Sequence, residues 1–223
     1  MQTTLHIGIG DLHGHLPALD RLLTSLEKNL GIFGPEGTLK PHVRLTFGGW
    51  IRQLKTLSLQ NSHGKILLFV HGGIPQHLTK PENLETYAEM VKVHMDIRTN
   101  SLNAGDGYST KYGIKNPLVG KNSVFWDRSI PHGTPEEAQQ LADSLQADYI
   151  VIGHTPQRQG KIANYGDRIF NIDVAMCPAY GENEPGCIVF DKSGPNAFYA
   201  DSGLIPLLAP KKTKPAPEGP TMS

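Results

Sequence analysis

Three short stretches of this 223-residue chain put residues able to hold a cation where apolar runs end. In IGIGDLHGH, Asp11, His13 and His15 occupy alternate positions just past the apolar run Leu5 to Ile9. KILLFVHGGIP ends its apolar run on His71, and YIVIGHTP ends its own on His154. Each of these histidines sits beside glycines, which let a ligand come close to the backbone. A carboxylate and an imidazole two residues apart on a turn make half of a divalent-metal site. Taken singly, GDLHGH reads equally well as a capping aspartate beside a surface histidine. Three histidine-bearing tips with an aspartate are hard to attribute to chance.

The tips need elements to carry them. Leu5 to Ile9 reads as a strand, and Leu16 to Leu26 has apolar residues at helical spacing. Gly31 to Pro41 is a Gly- and Pro-containing loop, and Val43 to Phe47 is a second strand ending on Gly48 and Gly49. Trp50, Ile51, Leu54 and Leu57 then recur at helical spacing, so Trp50 to Leu59 is expected to be helical. A turn at Asn61 to Gly64 leads into the strand Lys65 to Val70. Pro81 to Val93 reads as a helix, and Asn100 to Asn122 as a polar, Gly-rich loop. Thr134 to Gln146 carries a full helix start, with Thr134 as N-cap, Pro135 first and two glutamates in the first turn. After the strand Tyr149 to Ile152 the pattern turns to β, with candidate strands at Lys161 to Ala163, Arg168 to Asp173, Cys187 to Asp191 and Ala197 to Ala200. This is an α/β chain with βα units first and a β-rich C-terminal part. It forms one domain over residues 1–208, and the Pro- and Lys-rich tail 209–223 is expected to be disordered. No internal repeat is visible.

Composition narrows the function classes. The 21 Lys+Arg residues balance 21 Asp+Glu, so charge gives no case for nucleic acid or an anionic membrane as partner. The two cysteines, Cys177 and Cys187, form no CxxC pair, which fits a reduced, cytoplasmic protein. Neither a signal peptide nor a membrane span is expected.

With these motifs in place, the chain resembles the calcineurin-like metallophosphoesterases, in the branch of serine/threonine protein phosphatases and diadenosine-tetraphosphate hydrolases. The resemblance runs from Leu5 to about Pro206 in the family's order. GDLHGH matches the motif that gives an Asp and a His, here Asp11 and His13, to a first metal. HGGIP and GHTP match motifs that each give one His, here His71 and His154, to a second. VFWDR resembles the segment that brings an arginine, Arg128, to the substrate phosphate. DVAMCPAYGENEPG is similar to the loop over the active site and implies Tyr180 at the pocket lip. VIGHTPQ and NIDVAM lean toward the bacterial-type or Shewanella-like phosphatases.

The resemblance implies a four-layer α/β/β/α sandwich of two mixed sheets. It also implies a metal-dependent phosphoric-ester hydrolase that takes Mn, Fe or Zn and acts on a phosphorylated protein or a small phosphate ester. Family chemistry clamps the phosphoryl group between two divalent ions about 3.5–4 Å apart.

Two motifs that this chemistry uses are absent: GDxxDRG, which supplies a bridging Asp, and GNHE, which supplies an Asn ligand and the His that protonates the leaving group. No Asp or Glu occurs between Glu36 and Glu82, so that region offers no bridging carboxylate. Asn61-Ser62-His63 echoes the Asn-His pair but reads as a plain turn. An internal deletion near Gly48–Trp50 accounts for both losses and leaves the sandwich incomplete. Asp11 is then the one matched carboxylate, and two closely spaced dications would repel each other. The expected outcomes are a mononuclear site of Asp11, His13, His71 and His154 or an empty one, with phosphatase activity low or absent. The alternative function is an inactive pseudophosphatase or a metal- and phosphate-binding module.

Overall fold

The computed structural model describes residues 4–11, 15–47, 57–89 and 123–209. Among the described residues ten strands run in chain order: β1 Leu5–Ile9, β2 Val43–Phe47, β3 Leu57–Ser62, β4 Lys65–Val70, β5 Tyr149–Ile152, β6 Ala163–Tyr165, β7 Ile169–Asn171, β8 Gly186–Asp191, β9 Gly194–Tyr199 and β10 Gly203–Pro206. The helices are α1 Leu16–Leu30, α2 at residues 81–89, and α3 Pro135–Ser144. One sheet has the order β10-β9-β8-β1-β2 and the other β3-β4-β5-β7-β6. Both are mixed: β1 runs parallel to β2 and antiparallel to β8. In the second sheet, β4, β5 and β7 are parallel, while β3 and β6 are antiparallel edges.

Alternation along β4 shows how the layers are made. Leu67 and Phe69 join the core shared with Ile188 and Phe190 of the first sheet. Leu68 and Val70 face the other way, into the core with Ala138 and Ala142 of α3 and Leu84 and Tyr87 of α2. A period of two thus separates the inter-sheet layer from the helix layer. Phe69 meets Phe190 edge to face, with centroids 6.2 Å apart. Gly8 makes room for this contact, since a Cβ there would lie 2.8 Å from Phe69 Cε1. On the far side of the first sheet, α1 buries Ala18, Leu22 and Leu26 at four-residue spacing. It ends on Gly31 at φ 58°, a left-handed cap that glycine adopts without strain. The α/β class agrees with the sequence pattern, and the two mixed sheets agree with what the family resemblance implies.

One expected helix is corrected. Residues 57–59, the end of the expected helix Trp50 to Leu59, belong to strand β3. The reason is visible in LSLQNS, where apolar and polar residues alternate, and in the hairpin that follows. His63 and Gly64 take φ 53° and 75°, the left-handed pair of a tight hairpin turn, and β3 pairs with β4 from Leu57↔Val70 to Ser62↔Lys65. Asn61 and Ser62 are therefore strand, and the turn is His63-Gly64. The C-terminal strands differ from expectation by one to three residues at their ends, and β10 was not among those expected. Its Pro206 sits in an edge strand, the place where a missing N–H is tolerated. Residues 48–56 at the junction, the loop at 100–122 and the tail beyond residue 209 lie outside the described residues.

A polar link also crosses between the sheets. The His6 ring on β1 donates from Nδ1 to Gln60 Oε1 on β3 at 2.6 Å. Burial lowers the His6 pKa below its usual value of 6.5, the Gln60 bond opposes that shift, and Arg44 and His63 add to it. The unfolded chain therefore takes up the proton first, and stability is lost as pH falls below about 6.5. Thermal melts between neutral pH and pH 5 are expected to show this decline, with a shallower slope in His6→Gln. The Thr134 cap gives a second expectation. Its hydroxyl accepts from Glu137 N, and the Glu137 carboxylate accepts from Thr134 N in return. Thr134→Ala is expected to cost about 1 kcal/mol in denaturant unfolding.

Candidate metal centre

The strands that carry the motifs end at one edge of the molecule. β1 is flanked by β2 and β8 in one sheet, and β4, β5 and β7 lie side by side in the other. Their C-terminal ends hold Asp11, His71, His154 and Asp173. The edge is tightly built. A Cβ on Gly10 would stand 2.2 Å from the Ile172 carbonyl oxygen and 3.2 Å from Asp173 Cα, so β1 meets the end of β7 backbone to backbone. Gly153 N donates to His71 O at 2.7 Å, which fixes one histidine-bearing tip against the other.

The glycines of HGGIP have a structural use. Gly72 N donates to Val124 O at 2.7 Å, and a Cβ on Gly72 would lie 2.8 Å from that same oxygen. At Gly73 a Cβ would lie 2.5 Å from Asp127 Oδ1. The VFWDR segment thus rests directly on the His71 tip, and side chains at 72 or 73 would push it away. Asp127 in turn accepts from Ser129 N at 3.1 Å and Ser129 Oγ at 2.6 Å, which shapes the turn bearing Arg128.

Donor atoms of Asp11, His71 and His154 all lie within 4.8 Å of one another. His71 Nδ1 stands 3.3 Å from Asp11 Oδ1, and the two imidazoles have centroids 5.0 Å apart. Neither Asp11 Oδ1 nor His71 Nδ1 has a hydrogen-bond partner among the described residues, although both are buried. A buried polar atom left unsatisfied costs roughly 1–3 kcal/mol. An oxygen and a nitrogen turned toward each other at that cost fit a divalent cation, and carboxylate with imidazole is a donor set such ions accept. Arg128 Nη2 reaches His154, 3.4 Å from Nε2 and 3.3 Å from its carbonyl oxygen, while the side chain stays exposed. Trp126 lies edge-on to His154 at 5.1 Å, and Phe125 is 6.0 Å from the His71 ring. His154 holds φ 63°, an unusual conformation for a non-glycine residue and one that tends to occur at functional sites.

Of the residues picked out from the sequence, the fold brings Asp11, His71, His154 and Arg128 together. Asp11 is no helix cap, because α1 starts at Leu16 with His15 in the N-cap position and no side-chain cap. His13 lies outside the described residues. Tyr180 is partly exposed on the short turn Pro178–Tyr180, in the loop after β7.

One acidic residue of the edge lies in NIDVAM and opens DVAMCPAYGENEPG, yet was given no role of its own from the sequence. Asp173 is fully buried, and its pKa is raised to about 7, first by burial and then by the negative charge of Asp11. A bond from Ala175 N and the charges of His71 and Arg128 oppose the rise. Asp173 stands two residues past the end of β7, with no glycine beside it.

No protein-family model matches the chain. In sequence it is 26% identical over 135 residues to Shewanella-like protein phosphatase 1 of Plasmodium berghei (strain Anka), a match covering 56% of this chain. The chain spans 35% of the length of that curated relative. In structure it resembles a cold-active protein tyrosine phosphatase with a TM-score of 0.60 at 14% identity, over 91% of this chain and 78% of that one. A second structure, the cold-active protein-tyrosine phosphatase of a psychrophilic Shewanella species, gives 0.59 at 15% identity, over 91% and 80%. Together with these neighbours in structure, the two mixed sheets, with an aspartate and two histidines at their strand tips, give the chain a calcineurin-like metallophosphoesterase fold.

Proposed function

We propose that this chain is a metal-dependent phosphoric-ester hydrolase of the serine/threonine protein phosphatase type. Its cation would be Mn, Fe or Zn, and its substrate a phosphorylated protein or a small phosphate ester. The observation that carries the reading is the convergence of Asp11, His71 and His154 donors within 4.8 Å, with the Arg128 guanidinium on His154. A divalent ion bound there supplies Lewis acidity toward a phosphoryl oxygen.

The chain's own groups do the rest. Asp11, His71 and His154 hold the ion. Arg128, exposed and always charged, pairs with phosphoryl oxygens and neutralises their charge. Trp126 and Phe125 flank the imidazoles and keep part of their surroundings apolar. Tyr180 is assigned to the lip of the pocket. Free thiols at Cys177 and Cys187 agree with a reducing, cytoplasmic setting. Among the described residues, no helix is long and apolar enough to cross a membrane.

The absence of GDxxDRG and GNHE favours a second reading, in which the pocket binds metal and phosphate without turnover. Without the family's leaving-group acid, the chemical step is expected to be slow, and most visible on esters with a good leaving group.

Hydrolysis of p-nitrophenyl phosphate with added Mn²⁺ separates the two. Slow turnover is expected, abolished in Asp11→Asn and His71→Ala. Arg128→Ala is expected to raise KM about 10- to 100-fold, the loss of one charged hydrogen bond to phosphate. Saturable Mn²⁺ binding with no turnover in the wild type would leave the binding module in place of the hydrolase.

A further inference from the structure

We infer that Tyr87 of α2 is a positioning residue for Arg128: its hydroxyl fixes the turn that carries the guanidinium to His154, and so sets how tightly phosphate is held. The inference rests on the phosphate-pairing role proposed above for Arg128. It adds a residue that lies outside the strand tips and their motifs.

The turn starts where unpaired polar groups are costly. Tyr87, Ser123 and Val124 are all buried. Val124 N donates to the Tyr87 hydroxyl oxygen at 3.4 Å, and that hydroxyl donates to Ser123 Oγ at 3.3 Å. Ser123 Oγ accepts in turn from Phe125 N at 3.1 Å. The Ser123 carbonyl accepts from Trp126 N at 3.0 Å and from Asp127 N at 2.9 Å. The backbone of 125–127 thus winds around Ser123, and the Tyr87 hydroxyl holds Ser123 together with its neighbour. One phenol, accepting once and donating once, serves the whole entry of the turn.

Arg128 takes its place from this backbone. Its Nη2 meets His154 at 3.4 Å and 3.3 Å, contacts too long to fix an exposed side chain by themselves. Val124 O accepts from Gly72 N at 2.7 Å, so the same segment is also tied to the His71 tip. Removing the Tyr87 hydroxyl takes from the buried Val124 N and Ser123 Oγ the partner that α2 provides, and such groups move to recover one. The guanidinium four residues past Val124 then loses its preset position, and phosphate must supply the ordering cost. The ring itself belongs to the core cluster with Leu84, Val124 and Ile130, so Tyr87→Phe removes the hydrogen bonds and keeps the packing. Asp11, His71 and His154 stand on other elements, and their hold on a cation does not pass through this hydroxyl.

The test is the dissociation constant for inorganic phosphate, by calorimetry on the full chain with saturating Mn²⁺. It is measured in wild type, Tyr87→Phe, Arg128→Ala and the double variant, with Mn²⁺ affinity and metal-free melting temperature determined for each. Tyr87→Phe is expected to weaken phosphate binding about three- to tenfold while leaving Mn²⁺ affinity unchanged. In the Arg128→Ala background the same substitution is expected to have no further effect on phosphate, the non-additivity of two residues acting as one. On p-nitrophenyl phosphate it is expected to raise KM and leave kcat as in wild type. Unchanged phosphate affinity in Tyr87→Phe, or an equal loss with and without Arg128, would overturn the inference and leave Arg128 in its proposed role. A parallel loss of Mn²⁺ affinity would also overturn it, as the mark of a general loosening. A wild type that binds Mn²⁺ but no phosphate would overturn the role of Arg128 itself.

Discussion

Gly10 lies against the carbonyl of Ile172 at a separation no side chain allows, and the pocket depends on that contact. It sets the end of β1, in one sheet, against the end of β7, in the other, and so brings Asp11 beside Asp173. The parallel trio β4, β5 and β7 then lines up His71, His154 and Asp173 along the second sheet's edge. Glycines at 72 and 73 let the turn bearing Trp126 and Arg128 rest on the His71 tip. Even a methyl group at position 10 would force the two strand ends apart and spread the ligands they carry. Apolar packing between the sheets, through Phe69, Ile188 and Phe190, provides the force that holds this approach.

Much of this was legible in the sequence because chemistry and fold used the same signals. Apolar runs that end on a polar residue beside glycine announce themselves, and Asp11, His71 and His154 were each found in that way. Thr134 and Pro135 marked their helix start for a similarly local reason. Asp173 was passed over because NID ends in an ordinary turn residue with no glycine beside it, and only the three-dimensional approach of Gly10 gives that carboxylate its neighbour. The stretch 57–62 misled because Leu54 and Leu57 fit helical spacing, whereas LSLQNS fits alternation equally well. Its pairing with β4 decides between them. The contact of His6 with Gln60 was invisible to local patterning, since it joins two different sheets.

The sequence carries neither GDxxDRG nor GNHE. Among the described residues each sheet still has five strands. What changes is the charge of the pocket. The family's two ions need a carboxylate between them, and this chain offers none from residues 37–81, which contain no Asp or Glu. On the proposed reading, a single ion places a lighter demand on the ligands, one that Asp11 and the two histidines would meet. On the proposed reading, the two-ion centre of the resembled family is contracted here to one ion.

Metal stoichiometry bears on that contraction most directly. Purified full-length chain, titrated with Mn²⁺ and followed by electron paramagnetic resonance of the free ion, is expected to show one saturable site per chain. The site should disappear in the doubly substituted Asp11→Asn, His71→Ala protein. Two tight sites per chain would contradict the contraction, and no saturable site would contradict the metal centre itself.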